Sequence, residues 1–209
     1  MPNSKRHLFR PLRVAVALWL LPAAAIAAPA GTVVGLFGAC FIDAGGGRSA
    51  VQLGATVEVG DRVDVPAGGK LKLRMADGSV VSIASGSQLT VAAYAVDGSG
   101  QRRNAQLALA QGVIRAVVAP VAHPASFEVK TAVGTAAVRS TDWFLLATPT
   151  TMQVGVLAGS VAMTSAATGN GETIPARWGA RLEAGHDPVP PRVWSPDEFA
   201  RVIAETNVP

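Results

Sequence analysis

The chain has 209 residues, 49% of them hydrophobic and only 15% charged, so it is long enough to bury a core and too apolar for a disordered chain. Its net charge of +4 originates at the N-terminal end. Four cations without an accompanying acid precede the first apolar run: Lys5, Arg6, Arg10 and Arg13. Removing these four from the 18 basic residues leaves 14, equal to the 14 acidic residues. This balance gives no support for a basic face that would bind nucleic acid, and we expect no nucleic-acid partner.

The first 30 residues have the three parts of a secretory signal peptide. The cations are followed by an apolar run, residues 14–21, and by a tail of small residues that permits cleavage after Ala27 or Ala30. An uncleaved membrane anchor is the alternative. However, the run is shorter than the roughly 20 apolar residues that a bilayer requires, and Pro22 interrupts it. We therefore predict a signal peptide over residues 1–27, forming a signal helix, and a periplasmic mature protein.

Cys40 is the only cysteine, so the chain cannot form an intrachain disulfide. The segment from Leu36 to Cys40 faintly resembles the cleavage box of bacterial lipoproteins, which would make Cys40 a lipidation site. Phe37 stands where that box usually has Leu, and the segment lies well past the apolar run, so a buried strand cysteine is the preferred interpretation. Contact with a membrane is expected only through an uncleaved signal or a lipidated Cys40.

The strongest structural pattern in the mature chain is a β-hairpin. Residues 70–75 alternate strictly, with Leu71, Leu73 and Met75 on one side and three cations on the other. Successive side chains of a strand point to opposite faces, so this strand should have one buried face and one cationic, solvated face. Asp77-Gly78 supplies the turn, and the apolar run of residues 80–83 returns along the first strand.

Much of the remaining chain repeats this strand–turn–strand pattern. Two corners resemble each other, one at Gly112 and one at Gly159, each between apolar strand-like runs. Short strands at steady spacing predict an all-β domain over residues 31–185, either a short-stranded β-solenoid or a sandwich-like fold. The most polar segment, residues 97–104, is expected to be a mobile loop.

The C-terminal segment, residues 186–209, reads as a linker followed by one short helix. Ser195 can cap the helix, Pro196 suits its first position, and Glu198 completes a capping box. Trp194 and Phe199 occupy the positions of a hydrophobic staple. Three residues form the predicted apolar stripe of a helix that ends near Glu205: Phe199, Val202 and Ile203.

Residues typical of catalysis or metal binding are scattered rather than clustered. His123 and His186 are the two histidines of the mature chain, and neither has neighbours at metal-ligand spacing. No nucleophile-elbow pentapeptide and no phosphate-binding glycine loop is present. Four carboxylates lie at predicted turns, where turn geometry explains them: Asp61, Asp77, Asp97 and Asp187. We expect no catalytic, metal or cofactor site and no enzyme activity, although two carboxylates could still meet in space as a glycosidase pair.

The densest polar cluster is the run Arg139-Ser140-Thr141-Asp142, between apolar stretches. One interpretation is a partner-binding patch. The other is a structural network in which Arg139 pairs with Asp142 or another acid, because a charge inside an apolar run usually persists only when it is paired. The second interpretation is the preferred one.

Several motifs in a fixed order resemble the periplasmic FecR-type domain family. They are Gly-Thr-Val near the mature start, Gly60-Asp61, residues 76–79, residues 109–115, and the block from Arg139 to Phe144. The resemblance covers roughly residues 31–182, with Ser140 standing where the family usually has Gly. It implies an interaction domain of cell-surface signalling. In full-length family regulators a cytoplasmic anti-sigma segment and a membrane helix precede this domain, and a receptor's signalling domain contacts it.

Only about a dozen residues precede the apolar run here, too few for a cytoplasmic helical domain. We therefore expect a stand-alone exported member of the family without the anti-sigma segment. Its function would be non-enzymatic binding of a protein or envelope partner, such as an outer-membrane receptor domain, with strand addition at an open sheet edge as one mode. The alternative is a protein that binds or cleaves cell-wall glycans through Trp178 or Trp143 beside a carboxylate.

Overall fold

A computed structural model describes residues 29–122 and 125–209 of the protein. This part of the chain contains 17 β-strands and one C-terminal α-helix, which confirms the predicted all-β class with a short terminal helix. That helix, the only one in the described ranges, is too short and too polar to cross a membrane. The predicted signal helix and His123 lie outside the described residues.

Most of the strands are short, and the longest has 16 residues. In chain order they are β1 (Gly31–Phe37), β2 (Phe41–Ala44), β3 (Gly47–Ala50), β4 (Thr56–Val57), β5 (Arg62–Val65), β6 (Lys70–Met75), β7 (Val80–Ile83), β8 (Ser87–Val96), β9 (Arg102–Val117), β10 (Phe127–Lys130), β11 (Gly134–Val138), β12 (Asp142–Ala147), β13 (Thr151–Ala158), β14 (Ser160–Ser165), β15 (Gly171–Pro175), β16 (Trp178–Glu183) and β17 (Arg192–Val193), followed by α1 (Pro196–Thr206).

These strands form two sheets that share β9. The helix-bearing sheet has the order β4-β1-β6-β7-β9-β12-β13-β16-β17, and the opposite sheet has the order β3-β2-β5-β8-β9-β10-β11-β14-β15. One hydrophobic core collects buried side chains from both sheets, including Leu71 and Leu73 from one and Leu89 and Val91 from the other. The sheets therefore face each other as in the sandwich-like alternative.

Glycine corners carry the chain from one sheet to the other. Gly112 lies within β9 at φ +103°, where the strand leaves β8 and begins to pair with β7 and β12. Gly159, at φ +84°, separates β13 in the helix-bearing sheet from β14 in the opposite sheet. Both backbone conformations strongly favour glycine. The two corners that resemble each other in the sequence thus have the same role.

The central hairpin β6–β7 has the predicted register, and the apolar side chains of β6 are buried. Its cationic face, however, is only partly solvated, which corrects the prediction. Lys70 Nζ donates hydrogen bonds to the carbonyl oxygens of Ala204 (2.9 Å) and Asn207 (3.1 Å), and Lys72 Nζ donates to that of Val208 (3.0 Å). The lysines therefore bind the end of the C-terminal helix, where exposed carbonyls attract cations.

The predicted loop over residues 97–104 is shorter in the structure. Residues 97–101 form a tight turn between β8 and β9, in which Asp97 Oδ1 accepts hydrogen bonds from the backbone N–H groups of Ser99 and Gln101, both at 3.0 Å. Strand β9 then begins at Arg102, whose side chain is fully buried. The polar composition of this segment reflects a capped turn and one buried ion pair.

Cys40 is buried, and burial raises the pKa of its thiol. The predicted burial is therefore present, but Cys40 directly precedes β2 and does not lie within a strand, which corrects the predicted strand position.

The C-terminal helix begins as predicted. Ser195 Oγ accepts a hydrogen bond from the backbone N–H of Glu198, whose carboxylate accepts one from the N–H of Ser195 at 2.8 Å. Arg192 and this backbone donor lower the pKa of Glu198 to about 2. The helix ends at Thr206, and its buried face consists of Phe199, Val202 and Thr206, whereas Ile203 is partly exposed and leaves the predicted stripe.

We expect Ser195→Ala to destabilise the helix by about 0.5–2 kcal/mol, because the N–H of Glu198 loses its acceptor. Hydrogen exchange of residues 196–206 should accelerate while the core strands keep their protection. Ser99→Ala, at an exposed turn, is the control. Unchanged exchange in the helix would contradict the role assigned to the cap.

Candidate functional site: the Arg139–Asp142 loop

The Arg139–Asp142 loop connects β11 in the opposite sheet to β12 in the helix-bearing sheet. It lies against the corner at Gly159, where a Cβ would stand 2.7 Å from the carbonyl oxygen of Ser140. Thr141 is buried, and its Oγ1 donates a 3.1 Å hydrogen bond to the carbonyl oxygen of Ser160. Two crossings between the sheets therefore pack side by side.

The loop forms a ridge between two surface clefts. A cleft of about 480 Å³ lies on the side of β11 and β14, and one of about 330 Å³ lies on the side of β7 and β9. Ser140 and Thr141 line both clefts. Arg139 and Ser140 are exposed, so their side chains are accessible to a partner.

Asp142 of the loop forms an ion pair, but its partner lies outside the loop. Asp142 is bound by Arg115 on β9, with Nε–Oδ1 and Nη2–Oδ2 distances of 2.9 and 2.7 Å, and this hydrogen-bonded pairing raises the pKa of Arg115. The alternative in which Arg139 pairs with Asp142 is therefore wrong. Of the four predicted residues, Thr141 and Asp142 are held by the fold, and Arg139 and Ser140 face outwards.

A buried ion pair lies beneath the loop, and no local pattern in the sequence indicates it. Arg102 bonds Asp77, and both side chains are 0% exposed. Asp77 also accepts hydrogen bonds from the Tyr94 hydroxyl (2.6 Å) and from the backbone N–H of Ser79 (2.9 Å). Its carboxylate is thus paired with a cation and further hydrogen-bonded, as a buried charge requires. Burial, followed by the bond to Asp77, raises the pKa of Tyr94.

Arg102 connects this network to the loop. Its Nη2 donates a 2.9 Å hydrogen bond to the carbonyl oxygen of Arg139, and both terminal nitrogens lie 3.4 Å from that of Ala119. Its guanidinium carbon also lies 5.8 Å from the centre of the Phe127 ring. One buried side chain therefore fixes the hairpin turn, the start of β9 and the first residue of the loop.

The aromatic residues considered for glycan stacking lie in different environments. Trp143 is 0% exposed in the main core, so its ring cannot stack on a sugar. Trp178 is 37% exposed at the start of β16, where it pairs with Val193. Within residues 29–122 and 125–209, no group of three or more His, Cys, Asp or Glu side chains is arranged to hold a metal ion.

The fold resembles that of a bacterial protein of known structure. Two crystal structures of a "putative anti-sigma factor" from Parabacteroides distasonis each align with a TM-score of 0.55 and 14% sequence identity, over 66% of this chain and 62% of theirs. The chain thus spans less than two thirds of that protein, and the likeness shows a shared fold. A comparison with curated proteins gives no match.

The family follows from sequence comparison. The family model described as FecR protein matches residues 61–162, which include the central hairpin, β9 and the Arg139–Asp142 loop. Residues 61–162 therefore match a FecR domain, which confirms the resemblance seen in the ordered motifs. This match supports an interaction module related to signalling.

We expect Arg102→Leu to lower the free energy of unfolding by about 3–5 kcal/mol, because Asp77 is left buried without its cation. Arg103→Leu is the matched control. Arg103 directly follows Arg102 and forms an exposed ion pair with Asp97. Its substitution should lower the free energy of unfolding by less than about 1 kcal/mol.

Urea unfolding of Arg102→Leu, Arg103→Leu, Asp77→Asn and the double variant Arg102→Leu/Asp77→Asn measures the pair. The double variant should lose less stability than the two single variants combined. Equal effects of Arg102→Leu and Arg103→Leu would contradict the central role of the buried pair.

Proposed function

We propose that this protein is an exported, periplasmic FecR-type interaction module that acts in cell-surface signalling without catalysing a reaction. Its partner is a protein or envelope component, such as an outer-membrane receptor domain. The observation that supports this proposal is the Arg139–Asp142 loop, which presents two exposed polar side chains from a backbone held by a buried ion pair.

Rigid support makes such a loop suited to recognition. Binding residues are often found on loops placed by a rigid scaffold, and a loop that is already ordered loses less conformational entropy on binding. Arg139 supplies a cation able to form bidentate bonds with a carboxylate, and Ser140 supplies a hydroxyl between the two clefts. Thr141 and Asp142 anchor the loop through Ser160 and Arg115. We therefore assign contact to the first two residues and support to the last two.

One open sheet edge offers a second element of the same interface. Strand β15 ends the opposite sheet on the side of the loop and pairs on one side alone with a neighbouring strand. Strand β15 adjoins β14, which lines the larger cleft through Ser160 and Ala162. A partner segment bound along this edge would gain main-chain hydrogen bonds and could also contact Arg139.

Site-specific photo-crosslinking tests the loop as the binding surface. A photoreactive residue at position 140 should crosslink to one envelope component in living cells. The same residue at position 46, at the far end of the opposite sheet, should not. Arg139→Glu should reduce the crosslink without a change in melting temperature, because its side chain is exposed.

Equal crosslinking from both positions, or a crosslink unaffected by Arg139→Glu, would contradict this assignment. Cosedimentation of the protein with purified peptidoglycan that depends on Trp178 would instead favour the glycan-binding alternative, since that indole is partly exposed.

Export has its own test. The mature protein should be recovered from the periplasmic fraction and should begin at Ala28 or Gly31, because small residues permit cleavage after Ala27 or Ala30. N-terminal sequencing of the purified protein decides this. A mature protein that begins at Met1 in the cytoplasmic fraction would refute export.

A further inference from the structure

The outer surface of the helix-bearing sheet contains a socket for a tryptophan side chain. Gly155 on β13 pairs with Gly179 on β16, and the Trp194 ring lies on both. A Cβ would stand 2.3 Å from the ring at Gly155 and 1.9 Å from it at Gly179, too close for any other residue type. Two paired glycines therefore create the space that the indole fills.

An apolar strip continues from this socket and forms a small core of its own. Phe144 and Leu146 on β12 and Leu157 on β13 pack with Phe199, Val202 and Trp194, separately from the main core between the sheets. The Trp194 and Phe199 rings lie 5.2 Å apart between centres. We refer to residues 194–209 as the strap and to the surface it covers as the strap face.

The strap crosses most of the sheet. It begins over β13 and β16, and its last carbonyls are bound by Lys70 and Lys72 on β6. A helix of 11 residues is about 16 Å long, and the four strand spacings from β13 to β6 measure about 19 Å. The socket and the lysines are thus separated by the length of a three-turn helix.

Lys70 and Lys72 bind the end of the helix through its main chain, so this contact does not depend on the helix side chains. All three of their hydrogen bonds go to main-chain carbonyl oxygens. The two surfaces also differ in charge, because Lys70 and Lys72 lie on the strap face whereas the strap itself is acidic. The strap carries Asp197, Glu198 and Glu205 against the single cation Arg201. The strap face therefore selects an acidic helix with an aromatic anchor at its N-terminal end and apolar residues on one side.

The strap is joined to the rest of the chain by a short strand and a largely exposed linker. Helices of this length are marginal alone, and the strand that leads into it, β17, has two residues. The preceding linker is largely exposed and contains Pro188, Pro190 and Pro191. Because the apolar contacts of the strap belong to the separate small core, its release would leave the main core covered.

We propose that the strap face is a helix-binding surface and that an acidic, aromatic-anchored amphipathic helix of a partner protein docks there by displacing the strap. This inference rests on the proposed function as an interaction module. It adds a second surface, distinct from the Arg139–Asp142 loop, and gives the chemistry of the segment that binds it.

A fluorescent peptide of residues 192–209 is the probe, because its sequence already fits the strap face. The full-length variant Trp194→Ala/Phe199→Ala has a weakened strap, and the peptide should bind it about tenfold or more tightly than wild type, since the wild-type strap competes for the site. Binding should weaken as salt increases.

Two controls show whether the socket is responsible. Gly179→Val, added to the strap-weakened variant, should abolish binding, whereas Gly45→Val, in open space, should not. A peptide carrying Trp194→Ala should fail to bind, and this control does not depend on the folding of any variant.

Absence of saturable binding to the strap-weakened variant, or binding unaffected by both Gly179→Val and the peptide substitution, would overturn the proposal. A concentration-dependent dimer of the wild-type chain that is lost with Trp194→Ala would indicate strap exchange between two copies and would overturn the assignment to a separate partner. Crosslinking from position 140 is independent of these measurements, so a failure confined to the peptide leaves the proposed function intact.

Discussion

The ion pair between Arg102 and Asp77 is the interaction on which the arrangement of the chain depends. Neither side chain reaches solvent, so each charge requires the other in place. Asp77 belongs to the turn of the central hairpin, Arg102 begins the strand shared by both sheets, and the bond from Arg102 to the carbonyl of Arg139 extends the network to the candidate loop. A shift of any of these segments would leave a buried charge or carbonyl unsatisfied, which fixes their relative positions.

The exposed polar residues Arg139 and Ser140 lie on a connection that crosses from one sheet to the other, and this crossing explains their position. A chain that leaves one sheet for the other must turn sharply, and positive-φ glycines make several of these turns, among them those at residues 112 and 159. The crossing at Ser140 has no glycine of its own. It is held by Arg102, by the bond from Thr141 to Ser160, and by the pair of Asp142 with Arg115. Such external support leaves the side chains of Arg139 and Ser140 free for contact.

Local patterns predict the central hairpin and the helix start, whereas the contacts that the sequence does not reveal are non-local. Alternation in residues 70–75 gave the central hairpin, and the capping box at Ser195 gave the helix start, because nearby residues determine both. Arg102 lies 25 residues from Asp77, and Lys70 lies 134 residues from the carbonyl of Ala204. No local pattern announces such partners, so Asp77 was explained as a turn residue alone and the lysines were expected in solvent.

The candidate loop and the strap face are connected by a continuous series of contacts. Asp142 bonds Arg115, whose guanidinium carbon lies 5.5 Å from the centre of the Phe144 ring, and Phe144 packs with Phe199 beneath the strap. Contiguity alone does not establish coupling. Here, however, release of the strap would remove Phe199 from the Phe144 ring. Arg115 contacts the same ring, so it would be affected by that release. A partner that binds one surface more tightly when the other is occupied would therefore act through this pair, and the effect would be reciprocal.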